Sequence, residues 1–570
     1  MQQKLPIWEH IPTIIDLVKA NQVTIIATPT GSGKTLVVPT ALQRKIKTNV
    51  WVTVPRVLLA KSAQFAAANL IHGKDSAVGL KTGKGDKHPS AKIQYCTEGS
   101  FCARVLKNIS FDDIIVIDEI HEQGINTEEV VYLAKNHLNN GGKVVLMSAT
   151  MDIKKYSNFF ASWTVASFEM AQPKRPFETE ILVANDPLAE IVAKGGRWLV
   201  GCGGKAEIAM LTMQFQKIGW KGKIFPLHGE IEEWEEKEAM TYTKGDCLYI
   251  ATSIAMSGIT FPNLDGVLVP HGGKRVEGSN LIEYPLSKAE QKQWEGRVGR
   301  TQKGTAIYDT STALYRDRDE NVTPEILRTP TRNSVLSFAA KGYDLAKIEL
   351  LNQPPIENVE KSKAELTAIG LLEDSIITPK GMIVSNLGLG LDGGLFAYSG
   401  QKLGIEATAR KIAAIIESGT PYRKGATRFG RNLAATCALS KVSDHYRTLR
   451  MIEDDTEQHF GGGAIAEIVR KYGVENNIFL KGVGKLLKQF QQIDKQYRDH
   501  ATITPEILKE LFKQQSPNFK FDQRSNAEYG YITGGHSTLS NLYGKCYATV
   551  SPITTRRGRI VEMVTELDGE

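Results

Sequence analysis

At 570 residues the chain is several times the size of one ordinary domain, and four or five domains are expected. Its 41% hydrophobic and 23% charged fractions are those of a globular protein, and no stretch approaches the ~20 apolar residues that span a bilayer, which argues against membrane insertion. The six cysteines, at 96, 102, 202, 247, 437 and 546, show no CxxC spacing, which argues against a structural zinc or disulfide framework, and the net charge of +7 is a modest excess.

The opening MQQKLPIWEHIPTI lacks the basic-then-apolar pattern of a secretory signal. A cytoplasmic location, in a bacterium or a virus-infected host cell, is the expectation. The first third then alternates short apolar runs with amphipathic stretches. VTIIA (23–27), VWVTV (50–54), IIVID (114–118) and VVLMS (144–148) read as buried parallel strands. The pattern returns in RWLVG (197–201), CLYIAT (247–252) and GVLVP (266–270), so 1–168 and 169–319 read as two consecutive α/β domains with a cleft between them. After about residue 320 the texture turns helical, until a Gly-rich, strand-like tail from about 500. Residues 401–450 hold ten Lys and Arg against three acids, a local excess equal to that of the whole chain, as expected of a polyanion-facing region.

Directly after the first strand comes TPTGSGKT (28–35), then a helical segment, the context of a phosphate-binding loop. Gly31 and Gly33 let backbone N–H groups curl round a β-phosphate, and the helix N-terminus adds its partial positive charge. Lys34 neutralises β/γ oxygens and Thr35 ligates magnesium. Thr30 and Ser32 complete the loop, whose first position is Thr28 where Gly is usual. The strand IIVID ends in Asp118-Glu-Ile-His121, which suits Asp118 to the same magnesium and Glu119 to polarising a water as general base. Further on, Gln293-Trp-Glu-Gly-Arg-Val-Gly-Arg300 sets Arg297 and Arg300 one helical turn apart, where both could reach a γ-phosphate across the cleft. Closing the lobes on ATP and releasing them after hydrolysis would make a power stroke.

In this order the motifs resemble a DEAH/RHA-type superfamily 2 helicase. LPI (5–7), TPTGSGKT, VPRVLLA (54–60), TEGS (97–100), DEIH and SAT (148–150) are similar to the family's first lobe. LVGCGGKAEI (199–208), PLHGE (226–230), ATSIAMSGIT (251–260) and the motif at 293–300 are similar to its second. The resemblance implies two tandem RecA-like doubly wound parallel-sheet domains. It implies ATP and Mg²⁺ as cofactors, His121 in the nucleotide site, and Gln293 orienting the attacking water. It further implies that Arg56, Thr97 and Thr252 hold the backbone of a single strand, and that Ser148 and Thr150 couple the lobes. TPEILRTP (323–330) and TPKG (378–381) are similar to a winged-helix domain (320–382), SDHYRTL (443–449) to a helical ratchet domain (383–499), and an OB-like β-rich tail (500–570) follows in the family. Within PYRKGATRFGRN (421–432), Arg423, Lys424, Arg428 and Arg431 interleave with aromatics as on a strand-tracking surface; a solvated basic loop is the alternative.

AMSGIT in place of AETSIT, and Trp294 where the family carries Arg, lean towards NS3-like and NPH-II-like relatives. The stretch KRVEGSNLIEY (274–284) is shorter than the family's hairpin beside the duplex junction. The expectation is an ATP-dependent, monomeric helicase or translocase moving 3′ to 5′ on single-stranded RNA, with loose choice among NTPs and a protein activator. A DNA helicase, or an ATP-gated RNA clamp, remains open.

Overall fold

The structure is a computed structural model that describes residues 5–29, 31–70, 77–83, 85–105, 109–149, 151–170, 177–229, 231, 233–256, 261, 263–277, 280–299, 302–309, 318–387, 389–418, 443–453, 486, 489–513, 515, 520–523, 544–548, 553–555, 558–560 and 564–566. The chain divides into two compact units. One holds 1–276, 281–329 and 349–354; the other holds 277–280, 330–348 and 355–570.

The first unit contains two lobes. In the first lobe, helix α1 (Ile11–Ala20) precedes β1 (Val23–Ala27), α2 (Lys34–Ile46), β2 (Val50–Val54), α3 (Val57–Leu70), β3 (Val78–Thr82), β4 (Gly85–Lys87) and β5 (Ile93–Thr97). A one-turn helix α4 (Glu98–Ser100), β6 (Ile114–Asp118), α5 (Ile125–Asn139), β7 (Lys143–Ser148), α6 (Ile153–Phe159) and β8 (Val165–Glu169) follow. The eight strands lie in the order β4-β3-β5-β2-β6-β7-β1-β8. All pairs are parallel except β3 with β4 at the edge. Parallel sheets are covered on both faces, and every residue of β1 and β6 is accordingly buried.

The second lobe runs β9 (Thr179–Ala184), α7 (Pro187–Lys194), β10 (Arg197–Gly201), α8 (Lys205–Lys217), β11 (Lys223–Leu227), α9 (Glu233–Thr241), β12 (Cys247–Ala251) and β13 (Gly266–Leu268). Then come β14 (Gly272–Glu277), β15 (Asn280–Pro285), α10 (Lys288–Glu295) and β16 (Gly304–Asp309). Its six-stranded sheet, β11-β12-β10-β13-β16-β9, is parallel throughout. Alternate residues feed two cores: Cys247, Tyr249 and Ala251 one face, Leu248 and Ile250 the other. Strands β14 and β15 form a separate two-stranded hairpin. The two doubly wound parallel sheets are the tandem RecA-like architecture that the motif order implied. Segment 349–354 returns to the first lobe, where Asn352 donates its amides to the buried Glu128 on α5 and accepts from Lys155 on α6.

The second unit is mainly helical. Helices Arg332–Ala339, Ile356–Ala368 and Pro379–Asn386 flank a small antiparallel pair, Leu372–Glu373 with Ile376–Ile377. Helices Gly390–Lys402, Glu406–Ser418, Asp444–Glu453 and Pro505–Lys513 follow. Phe396, Ile412, Leu449, Leu511 and Phe512 join one core there. Of the strand-like tail, Gly544–Ala548 is a strand, whereas YGYIT (529–533) lies outside the described residues. Among the described residues, no helix is long and apolar enough to cross a membrane.

Candidate nucleotide site

Strand β1 delivers its loop from the middle of the first sheet. Thr28 N–H donates to Ser148 O (3.0 Å), and Ser32 N–H donates to Pro29 O (3.3 Å). Gly31 (φ +81°) and Gly33 (φ +91°) lie in the left-handed region that favours glycine, and a Cβ on Gly31 would point into open space. Gly33 is the N-cap of α2 and offers no side chain, so the helix presents the positive end of its dipole to whatever the loop encloses. The LPI lead-in braces this loop: Ile7 N–H donates to Ser32 O (3.1 Å), and a Cβ on Gly33 would stand 2.8 Å from Leu5 Cδ1.

Strand β6 brings two carboxylates to the same place. Asp118 is fully buried and accepts from the Thr35 hydroxyl at 2.5 Å, a pair of hard oxygens suited to a divalent cation. Glu119 turns back at φ +54°, a conformation that costs a non-glycine residue about 1–3 kcal/mol and marks functional sites. Its Oε1 faces Lys34 Nζ at 3.7 Å and its Oε2 faces His121 Nδ1 at 3.3 Å. His121 Nδ1 also shares a 3.0 Å hydrogen bond with Ser148 Oγ. Burial and the neighbouring Glu119 charge push Asp118 up to about 7. Burial also opposes charge on Glu119, but Lys34, His121 and Arg297 outweigh it and hold that carboxyl below its ordinary value. Lys34 is thus the cation these two acids share.

Across the cleft, α10 carries Gln293, which lines a cavity of about 330 Å³ with His121, Gln123, Glu290 and Asn352. Helix α10 ends at Glu295, with Gly296 as C-cap, and Gly299 takes φ +74°. Arg297 therefore lies beyond the helix rather than on it. Buried Arg297 is near enough for its charge to reach Glu119 on the other lobe. Thr30, Thr150, Arg300, Arg423, Lys424, Arg428 and Arg431 lie outside the described residues.

Of the expected strand-binding residues, Thr97 ends β5, and Arg56 and Thr252 lie in the loops just past β2 and β12. Arg56 pairs with Glu122 (3.1 Å) and donates to Ser253 O of the second lobe (3.4 Å). Thr97 Oγ1 donates to Ser100 Oγ (2.9 Å), and Thr252 N–H donates to Leu227 O (3.0 Å). Sequence reasoning missed Tyr95, whose hydroxyl donates to Thr35 O at 2.6 Å, since an aromatic inside a strand carries no motif. It also missed the capping box Ser287/Glu290, whose S-x-x-E spacing was there to find.

A P-loop sequence on one parallel α/β lobe, with a buried arginine on a second, is the arrangement of a nucleotide site between two RecA-like lobes. A family model described as DEAD/DEAH box helicase matches residues 9–159. The chain is 28% identical over 420 residues to the ATP-dependent RNA helicase HrpA of Borreliella burgdorferi, covering 64% of this chain and 50% of that protein. It is 26% identical over 401 residues to HrpA of Escherichia coli (65% and 31%), and 27% over 422 residues to the ATP-dependent RNA helicase DHX33 of Drosophila melanogaster (67% and 61%). It thus spans between about a third and three fifths of these curated relatives. In fold it is similar to the crystal structure of the Escherichia coli DEAH/RHA helicase HrpB, with TM-score 0.76 at 20% identity over 99% of this chain and 70% of that one. In motif order and in fold the chain is thus similar to DExH-box helicases of superfamily 2.

Proposed function

We propose that the chain hydrolyses ATP between its two lobes and uses the cycle to move along single-stranded RNA, 3′ to 5′, separating duplexes or remodelling RNA–protein complexes. The observation that carries this reading is the convergence on Glu119 of Lys34 from the phosphate loop and Arg297 from the opposite lobe. The groups present fit a nucleotide with its metal: the glycine turn and α2 N-terminus suit the phosphates, and Thr35 and Asp118 would hold Mg²⁺, which would neutralise phosphate charge. Glu119 then takes a proton from the attacking water, and Gln293 orients that water. Arg297 stabilises charge on the transferring phosphoryl, with Arg300 assigned the same role by its motif. Ser148, bonded to His121, couples the acid motif to the lobe arrangement. Arg56, Thr97 and Thr252 grip the strand backbone.

The curated relatives are named RNA helicases, which supports RNA over DNA. The helices and small antiparallel pair between 332 and 386 support a winged-helix reading of 320–382, and the helical core beyond supports a ratchet domain at 383–499. ATPase activity measured alone, with single-stranded RNA and with single-stranded DNA, and then unwinding of duplexes bearing 3′ or 5′ overhangs, tests the reading. RNA-stimulated turnover and unwinding from 3′ overhangs are expected. ATPase activity indifferent to both polymers would refute the motor.

A further inference from the structure

Helix α10 carries Gln293 and leads into Arg297, so whatever fixes its orientation sets the second lobe's contribution to hydrolysis. Its N-terminus is held unusually completely. Lys288 N–H donates to Asp319 O (2.9 Å), Ala289 N–H to Glu320 O (3.0 Å), and Glu290 N–H to the N-cap Ser287 Oγ (3.3 Å). Glu290, itself buried, answers with one carboxylate oxygen: Oε2 accepts from Ser287 N–H (2.8 Å) and Ser287 Oγ–H (2.9 Å). That closes a capping box.

The other oxygen is spare for the helix, and it is taken from outside. Glu290 Oε1 accepts from the hydroxyl of Tyr284 at 2.9 Å, and Tyr284 belongs to strand β15 of the hairpin. The hairpin is shaped round this ring. A Cβ on Gly273 of β14 would stand 2.8 Å from the Tyr284 hydroxyl and ring, so only glycine lets the ring lie across that strand. The Arg275 guanidinium covers the ring at 4.2 Å from its centre. Burial and the Glu290 carboxylate hold the phenol above its ordinary pKa, so it remains a donor. One face of the same helix turn then reaches the cleft, where Glu290 and Gln293 line the cavity opposite His121.

We propose that Tyr284 is a positioning residue for ATP hydrolysis: through its hydrogen bond to Glu290 it ties the hairpin to α10 and so fixes Gln293 and Arg297 against Glu119. This rests on the nucleotide-site reading above. The phosphate grip is on the first lobe, so losing the tie should slow the chemical step without weakening ATP binding. Tyr284→Phe keeps the ring and removes only the donor.

Steady-state ATPase kinetics of the full chain provide the test, with and without single-stranded RNA. Tyr284→Phe should lower kcat about tenfold, the size expected for one hydrogen bond to a charged group, with KM for ATP within about twofold of the wild type. Adding Tyr284→Phe to Glu290→Ala, which removes the acceptor, should cost no more than Glu290→Ala alone, as partners in one interaction require. Wild-type kcat in Tyr284→Phe would overturn the proposal, as would additive effects in the double variant. A loss explained by a matching fall in thermal stability would also overturn it, leaving Tyr284 a structural tie. A wild-type chain that hydrolyses no ATP would remove the nucleotide-site reading and this inference together, whereas a wild-type ATPase with an unaffected Tyr284→Phe removes the inference alone.

Discussion

Glu119 acts from a backbone conformation that side-chain-bearing residues avoid, and the strain is held in place by what its carboxylate meets: Lys34 on one side and His121 on the other. Replacing it with Gln keeps the size and removes the proposed base. Glu119→Gln should bind ATP normally in equilibrium titrations and lose roughly 10²–10⁴-fold in turnover; unimpaired turnover would take the base role away from this residue. The convergence of Thr35 and Asp118 was legible from the sequence because a glycine turn after one apolar strand, and an acid at the end of another, have few other uses. Arg297 was legible as a charge but not as a position, since Gly296 ends the helix before it and Gly299 bends the chain away. The left-handed turn at Glu119 had no signature, because nothing in a glutamate's neighbours announces positive φ.

At the scale of elements, the strands that read clearly were those buried on both faces. VTIIA and IIVID are apolar throughout because helices cover both sides of their sheet. Strand β9 differs from these: it lies at an edge, where Ile181 and Val183 of its apolar run stay more than half exposed. Helix α10 is short and polar for its length, and its stability is concentrated in its first turn. Ser287→Ala, which removes the cap that Glu290 N–H donates to, should destabilise the second lobe by about 1 kcal/mol, read as a shift in the urea midpoint. An unshifted midpoint would mean that the Asp319 and Glu320 carbonyls suffice to hold that turn.

Across the whole molecule, one buried acid ties stability to pH. Glu98, the first residue of α4, is 4% exposed and accepts from Thr127 Oγ1 at 2.8 Å. Burial, with smaller contributions from the Glu122 and Glu325 charges, pushes its carboxyl from 4.5 up to about 8, against the pull of Thr127. Between those values the folded protein keeps a proton that the unfolded chain has released, so this residue's contribution is present below about pH 4.5 and fades as pH rises towards 8. Glu98→Gln, which keeps the acceptor for Thr127, should gain on the wild type between pH 6 and pH 8 by up to ~1.4 kcal/mol per pH unit. Urea midpoints that run parallel for the two proteins over that interval would exclude the effect. The sheet order sets a further schedule, this one during synthesis. Strand β1 pairs with β7 and β8, Val23 lying beside Val144 and Val165, so the strand that ends in the phosphate loop has neither neighbour until the chain has grown past residue 140. At about 5–20 residues per second a ribosome takes roughly 6–24 seconds to pass from Ala27 to Ser148, and for that time the nascent β1 is an unpaired apolar strand. Chaperone capture of arrested nascent chains should therefore be strong at lengths that expose β1 alone and fall once β8 has cleared the exit tunnel.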